Sequence, residues 1–150
     1  MKIRIEIDED LIEDEILIRS KMLNEQILNI ESAVREVIKS GRQMEFIKGD
    51  TTYYLPFEDI LFFETEGNLV YAHTKADTYS VKYRLYELEE NLPGFFMRIS
   101  KSTILNVKKV YAVTRSLSAS GMIEFQGSHK QAYVSRYYYK PLKDRLEEKR

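Results

Sequence analysis

Apolar and polar residues alternate from Ile3 to Ile7, with Arg4 and Glu6 set between three isoleucines, which is the period of a strand with one buried face. An acidic stretch, DEDLIEDE, follows as a loop, and Ile16 to Ile18 predicts a second short strand. The period then lengthens. Ile27, Leu28, Ile30, Val34, Val37 and Ile38 recur at helical spacings, Asn24 stands where an N-cap belongs and Gly41 where a C-cap glycine belongs, so 25–39 predicts one amphipathic helix. The expected unit is β-β-α over residues 1–43. Its apolar face is too small for a core of its own, so it needs the rest of the chain or a second copy.

From Met44 the texture changes to short runs rich in Tyr, Phe, Ile and Val. Turn signals separate them at Gly49-Asp50, Gly67-Asn68, Ala76-Asp77, Ala119-Ser120-Gly121 and Gln126-Gly127. MEFIKG and TTYYLP predict a first hairpin, EDILFFETE and LVYAHT a second, and TYSVKY a strand after the next turn. A short helix over 83–91 stops at Leu92-Pro93-Gly94; FFMRIS, KVYAVTRSL, MIEFQG and QAYVS supply later strands, and 137–149 closes the chain as a helix. The fold class is α+β and mainly antiparallel β, with a tight boundary dividing residues 1–43 from 44–150.

The net charge of -1 conceals a strong asymmetry. Residues 1–45 hold seven bases and eleven acids, 46–94 four and nine, and 95–150 twelve and four. Between 91 and 143 nine Lys and Arg face a single acid, Glu124. Such a distribution suits a surface that meets a polyanion, although solvated helix faces and strand edges produce basic segments too. Absent cysteine excludes disulfides and thiolate chemistry. His73 and His129 stand 56 positions apart without a zinc-motif spacing, and no cofactor or metal is implied. No run approaches the roughly 20 apolar residues of a membrane span, and MKIRIEID is too polar for a signal peptide, so a cytoplasmic location is expected.

Three separated segments carry a family resemblance: ILFFETEGNLVYAHT, then YSVKYRLYELEENLPGFFMRISKSTILNVKKV, then YVSRYYYKPLKDRL. In this order and spacing they resemble the LytTR family of bacterial DNA-binding domains, over about residues 44–148, with the FxRIxxSxIxN pattern from Phe96 to Asn106 the most distinctive part. The resemblance implies an elongated β fold of several small sheets that reads the major groove of duplex DNA with loops instead of a recognition helix. It also implies a transcriptional regulator acting on direct-repeat sites. Carried across by position, the DNA-facing loops fall near Asn68, at Ser100 and Lys101, and at Arg136. Family variation around Asn68 and at Lys101 implies that these two set which site is read, whereas Arg136 follows the family pattern more closely.

The chemistry at these positions is suitable. Asn bonds adenine through two hydrogen bonds, Arg or Lys bonds guanine O6 and N7, and hydroxyls and ammonium groups engage phosphates. Each residue also has a plainer reading. Asn68 can fill a positive-φ turn position. Arg98 and Ser100, two apart on one strand, form either a phosphate clamp or the solvent face of a half-buried strand. Ser102 is expected to cap a helical turn and Asn106 to hold a turn, while Lys108 and Lys109 are either backbone contacts or solvated charge.

Other function classes stay open at this level. Tyr137, Tyr138 and Tyr139 suggest base stacking with single strands, but Tyr138, Leu142 and Leu146 fall at i, i+4 and i+8 and point to a core stripe. Glu64 and Glu66 are spaced like paired carboxylates, yet no phosphate loop or nucleophile motif accompanies them, so no enzyme activity is expected. The rival to DNA recognition is a protein-interaction module with a basic surface. LytTR proteins are often joined to a phospho-accepting receiver domain, and 43 residues are too few to build one. The acidic N-terminal unit is instead expected to mediate homodimerisation or to bind a partner protein through the helix 25–39.

Overall fold

The computed structural model describes residues 1–40 and 44–148, divided into two compact units, Met1–Val34 and Arg35–Arg150. In the first unit the expected strands do not form: among the described residues before α1 (Glu25–Ser40) there is none. Alternation supplies an apolar face but not the backbone partner that makes a strand. Ile3, Ile5 and Ile7 are accordingly 94%, 82% and 86% exposed. The helix begins where its cap predicts, with Asn24 Oδ1 accepting from the Ile27 amide at 3.0 Å. Gly41, the expected C-cap, lies outside the described residues.

The second unit carries ten strands among its described residues. β1 (Glu45–Lys48) and β2 (Thr51–Tyr54) form the first hairpin, and β3 (Phe62–Glu66) and β4 (Leu69–His73) the second. After β5 (Thr78–Val81) comes α2 (Leu85–Asn91), entered through Glu87, whose carboxylate accepts from the Arg84 amide at 3.1 Å. β6 (Phe96–Ser100) and β7 (Thr103–Asn106) make a third hairpin. β8 (Val110–Arg115), β9 (Gly121–Phe125) and β10 (Gln131–Val134) precede α3 (Arg136–Glu147). The strands assemble into two antiparallel sheets, ordered β2-β1-β5-β4-β3-β7-β6 and β10-β9-β8, rather than several small ones.

Strand β7 corrects the sequence reading. Thr103-Ile104-Leu105-Asn106 is no helical turn capped by Ser102 but a four-residue strand between β3 and β6, buried at every position. A strand buried on both faces shows no alternation, and so short an apolar run carries no period to separate it from a helix. The two faces serve two cores. Phe63 and Ile104 join Phe46, Val70, Leu85 and Leu88 in one, while Phe62 and Leu105 join Ile99, Ile123, Val134 and Leu142 in the other. Neighbouring residues on β3 and β7 therefore anchor the larger sheet to α2 on one side and to the three-stranded sheet and α3 on the other.

Asn106 ends β7 fully buried. Its Nδ2 donates to the Ile60 carbonyl at 2.9 Å and its Oδ1 accepts from the Lys108 amide at 3.0 Å, so it holds the turn after β7 as expected. In α3, Leu142 is fully buried, and Tyr138, Tyr139 and Leu146 pack against the same core, which assigns the tyrosine stripe mainly to packing.

Candidate nucleic-acid interface

Three loops meet at one end of the larger sheet. The pairing of β3 with β7 sets Glu64 opposite Thr103, so the Gly67-Asn68 turn and the β6–β7 turn project from the same edge. They are tied directly, the Thr65 amide donating to the Ser102 carbonyl at 2.8 Å. The start of α3 joins them through the Ser135 amide, which donates to the Ile99 carbonyl at 2.9 Å. Asn68, Ser100, Lys101 and Arg136 are thereby gathered from three stretches of chain.

The turn alternative for Asn68 fails on geometry. Gly67 takes the positive φ, at 61°, and Ala119 is the non-glycine residue that enters that region among those described. Asn68 is exposed and shares the turn without a positive φ of its own.

Arg98 and Ser100 turn out to build the β6–β7 turn. A β-bulge between them breaks the simple alternation that would place both on one face. Arg98 Nε donates to the Ser100 carbonyl at 2.7 Å, its Nη2 donates to the Lys101 carbonyl at 2.6 Å, and its Nη1 lies 3.8 Å from Glu89 Oε2. Ser100 Oγ accepts from the Ser102 amide at 3.2 Å and lies 3.3 Å from Ser102 Oγ. Lys101, at the apex, is left exposed. Sequence spacing placed these residues together but could not reveal that the guanidinium faces its own turn.

Lys108 and Lys109 are not brought to this edge. They follow the opposite end of β7, about 13 Å away at strand rise. The Lys108 ammonium sits over the Phe95 ring, 4.2 Å from its centroid. On α3, by contrast, Lys140 stands one turn beyond Arg136 and is exposed like it, a cation that the motif reading passed over although its i, i+4 spacing was visible.

A second polar cluster lies at the far end, around His73. Its ring stacks on Phe62 with centroids 4.2 Å apart, and Lys130 Nζ lies 3.3 Å from its Nδ1. Burial, reinforced by that ammonium, lowers the imidazole pKa to about 4. His73 is therefore neutral at pH 7, and its Nε2 contact with Glu64 Oε1, at 3.8 Å, is not an ion pair there. The Glu64 carboxyl is itself raised, by burial first and by the charge of Glu66 second. Lys130 also donates to Thr78 Oγ1 at 3.2 Å and to the Asp77 carbonyl, bridging the β9–β10 loop to β5. More than fifty positions separate these partners in sequence, and no local pattern announces them.

Residues 50–147 match the family described as the LytTr DNA-binding domain. Proteins named uncharacterized HTH-type transcriptional regulators, from Staphylococcus aureus strains NCTC 8325 and MRSA252, are 33% and 32% identical over 148 residues. Each alignment covers 97% of this chain and 98% of the relative. The fold described above has α2 and α3 separated by five strands, so these two helices do not form a helix-turn-helix. A solved LytTr DNA-binding domain from Bacillus cereus superposes with a TM-score of 0.65 at 23% identity, covering 71% of this chain and 98% of that one, which is a likeness of fold. With the family match spanning most of the β-rich unit and relatives aligned over almost the whole length, the chain belongs to the LytTR family of DNA-binding domains.

Proposed function

We propose that this protein is a bacterial transcriptional regulator that binds duplex DNA sequence-specifically, setting three loops against the major groove. The observation that carries this is the convergence of Asn68, Lys101 and Arg136 at one sheet edge, held by the bonds from Thr65 to Ser102 and from Ser135 to Ile99. Asn68 and Lys101 read base edges, as does Arg136, while Lys140 meets the phosphate backbone. Arg98 and Ser100 position the Lys101 turn, and Lys108 and Lys109 lie outside the interface. Glu66, exposed beside the Gly67-Asn68 turn, disfavours phosphate there and accepts only from a base donor such as the cytosine amino group.

The action is binding without catalysis, in the cytoplasm. Direct-repeat sites suit a homodimer, and the N-terminal unit is the element that supplies the second copy. Support for that assignment comes from the apolar residues this unit leaves in solvent, Ile3, Ile5, Ile7, Ile12 and Leu17 among them.

Binding of the purified chain to duplex from its own upstream region, against scrambled duplex and across a salt series, tests the reading. Sequence-selective binding that weakens steeply with salt is expected of a protein making several phosphate contacts. Equal affinity for scrambled duplex would transfer the role to a protein-interaction module.

A further inference from the structure

Residues 2–8 read as a chemical palindrome. About Ile5 as centre, Ile3 mirrors Ile7, Arg4 mirrors Glu6 and Lys2 mirrors Asp8, so apolar answers apolar and each base answers an acid. Among the described residues the segment has no strand partner, its three isoleucines are in solvent, and Arg4 is 3.0 Å from Glu6 in an exposed pair of the kind that contributes little. We propose that residues 2–8 of two copies pair as antiparallel strands centred on Ile5, an inference that rests on the homodimer reading above and gives it a surface and a register.

The two-fold symmetry of such a pairing opposes Ile5 to Ile5, Ile3 to Ile7, Arg4 to Glu6 and Lys2 to Asp8 of the second copy. No neighbouring register does as well. A slip by two residues sets Glu6 against Glu6, or Arg4 against Arg4, and a slip by one sets isoleucine against charge. Parallel, in-register pairing stacks every charge on its own kind. A two-stranded ribbon needs cover for its apolar face, and the same unit exposes Ile12, Ile16, Leu17 and Leu23 in each copy.

The protein contains no cysteine, so introduced thiols report cleanly. Opposed residues of an antiparallel pair have Cα atoms about 4.5–5.5 Å apart, within the span of a disulfide. In the full chain under mild oxidation, Ile5→Cys is expected to cross-link to itself and Ile7→Cys to lag by about tenfold or more, its two copies lying four positions apart. A mixture of Ile3→Cys and Ile7→Cys chains is expected to form the mixed dimer. Arg4→Glu is expected to weaken dimerisation about tenfold and Arg4→Glu with Glu6→Arg to restore it. A wild-type dimer in which Ile5→Cys cross-links no faster than Ile7→Cys overturns this pairing and leaves the homodimer reading standing. A monomer at every concentration removes both, while duplex binding by the same protein reports on recognition independently.

Discussion

The Ser102 carbonyl accepts twice from Thr65, from its amide at 2.8 Å and from its hydroxyl at 3.2 Å. One oxygen thus couples the hairpin that carries Asn68 to the hairpin that carries Lys101. Thr65→Val keeps the amide bond and the shape but removes the hydroxyl bond. A stability change within about 1 kcal/mol is expected, since the site is partly exposed. Duplex affinity is expected to fall with it, because Asn68 and Lys101, the two residues proposed to read bases, lose their fixed spacing. Chemical denaturation and binding on the same variant check the pair of outcomes.

Arg136→Ala is expected to reduce affinity for the selected duplex by about 1–3 kcal/mol and to flatten discrimination at one base position. Lys140→Ala, at the proposed phosphate contact, is expected to weaken all sequences alike and to make the salt slope shallower by about one. Lys108→Ala leaves both affinity and selectivity unchanged. Parallel titrations of matched and mismatched duplexes distinguish the three, and a Lys108→Ala variant that binds as weakly as Arg136→Ala would place the interface at the wrong end of the sheet.

Asn106→Leu is nearly isosteric but strands two polar groups, the Ile60 carbonyl and the Lys108 amide. At about 1–3 kcal/mol for the buried Ile60 carbonyl left without a partner, and less for the part-buried Lys108 amide, a loss of about 1–4 kcal/mol in unfolding free energy is expected. Urea denaturation with an unchanged m-value is the check, and a loss below about 1 kcal/mol means that the turn after β7 re-forms its bonds elsewhere.

His73 makes stability depend on pH in a stated direction. Its folded pKa of about 4 lies below the ordinary 6.5, so between those values the unfolded chain binds a proton that the folded chain does not. Stability is therefore fully present above pH 6.5 and declines as pH falls towards 4, by about 1–2 kcal/mol from this group, because the partly exposed imidazole is screened by solvent. His73→Gln is expected to flatten that part of the profile. Unfolding curves at pH 7, 6 and 5 for both proteins measure the difference.

Much of the β-rich unit was legible because its half-buried strands alternate and its turns carry Gly, Asn and Asp. Asn24 and the i, i+4, i+8 stripe of α3 were legible for the same reason: each is a local rule. What escaped was non-local. β7 is buried on both faces, so its four residues show no period, and Ile3 to Ile7 shows a strand's period without any strand to pair with. Of the site, the motif placed Asn68, Lys101 and Arg136, which meet at one edge. It could not say that Arg98 faces inward to its own turn, or that the length of β7 carries Lys108 and Lys109 away. Those outcomes depend on a bulge and on strand direction, which only the folded register fixes.

The division of labour between Gly67 and Asn68, and between Arg98 and Lys101, separates the parts of this chain that hold the turns from the parts that face outward. Because the strained backbone belongs to the glycine and the turn-holding bonds to the arginine, the residues facing outward contribute little to folding. On the base-reading role proposed for Asn68 and Lys101, mutation at either moves the preferred operator while leaving the scaffold as stable as before. New regulons can then arise by single substitutions, with no intermediate that fails to fold.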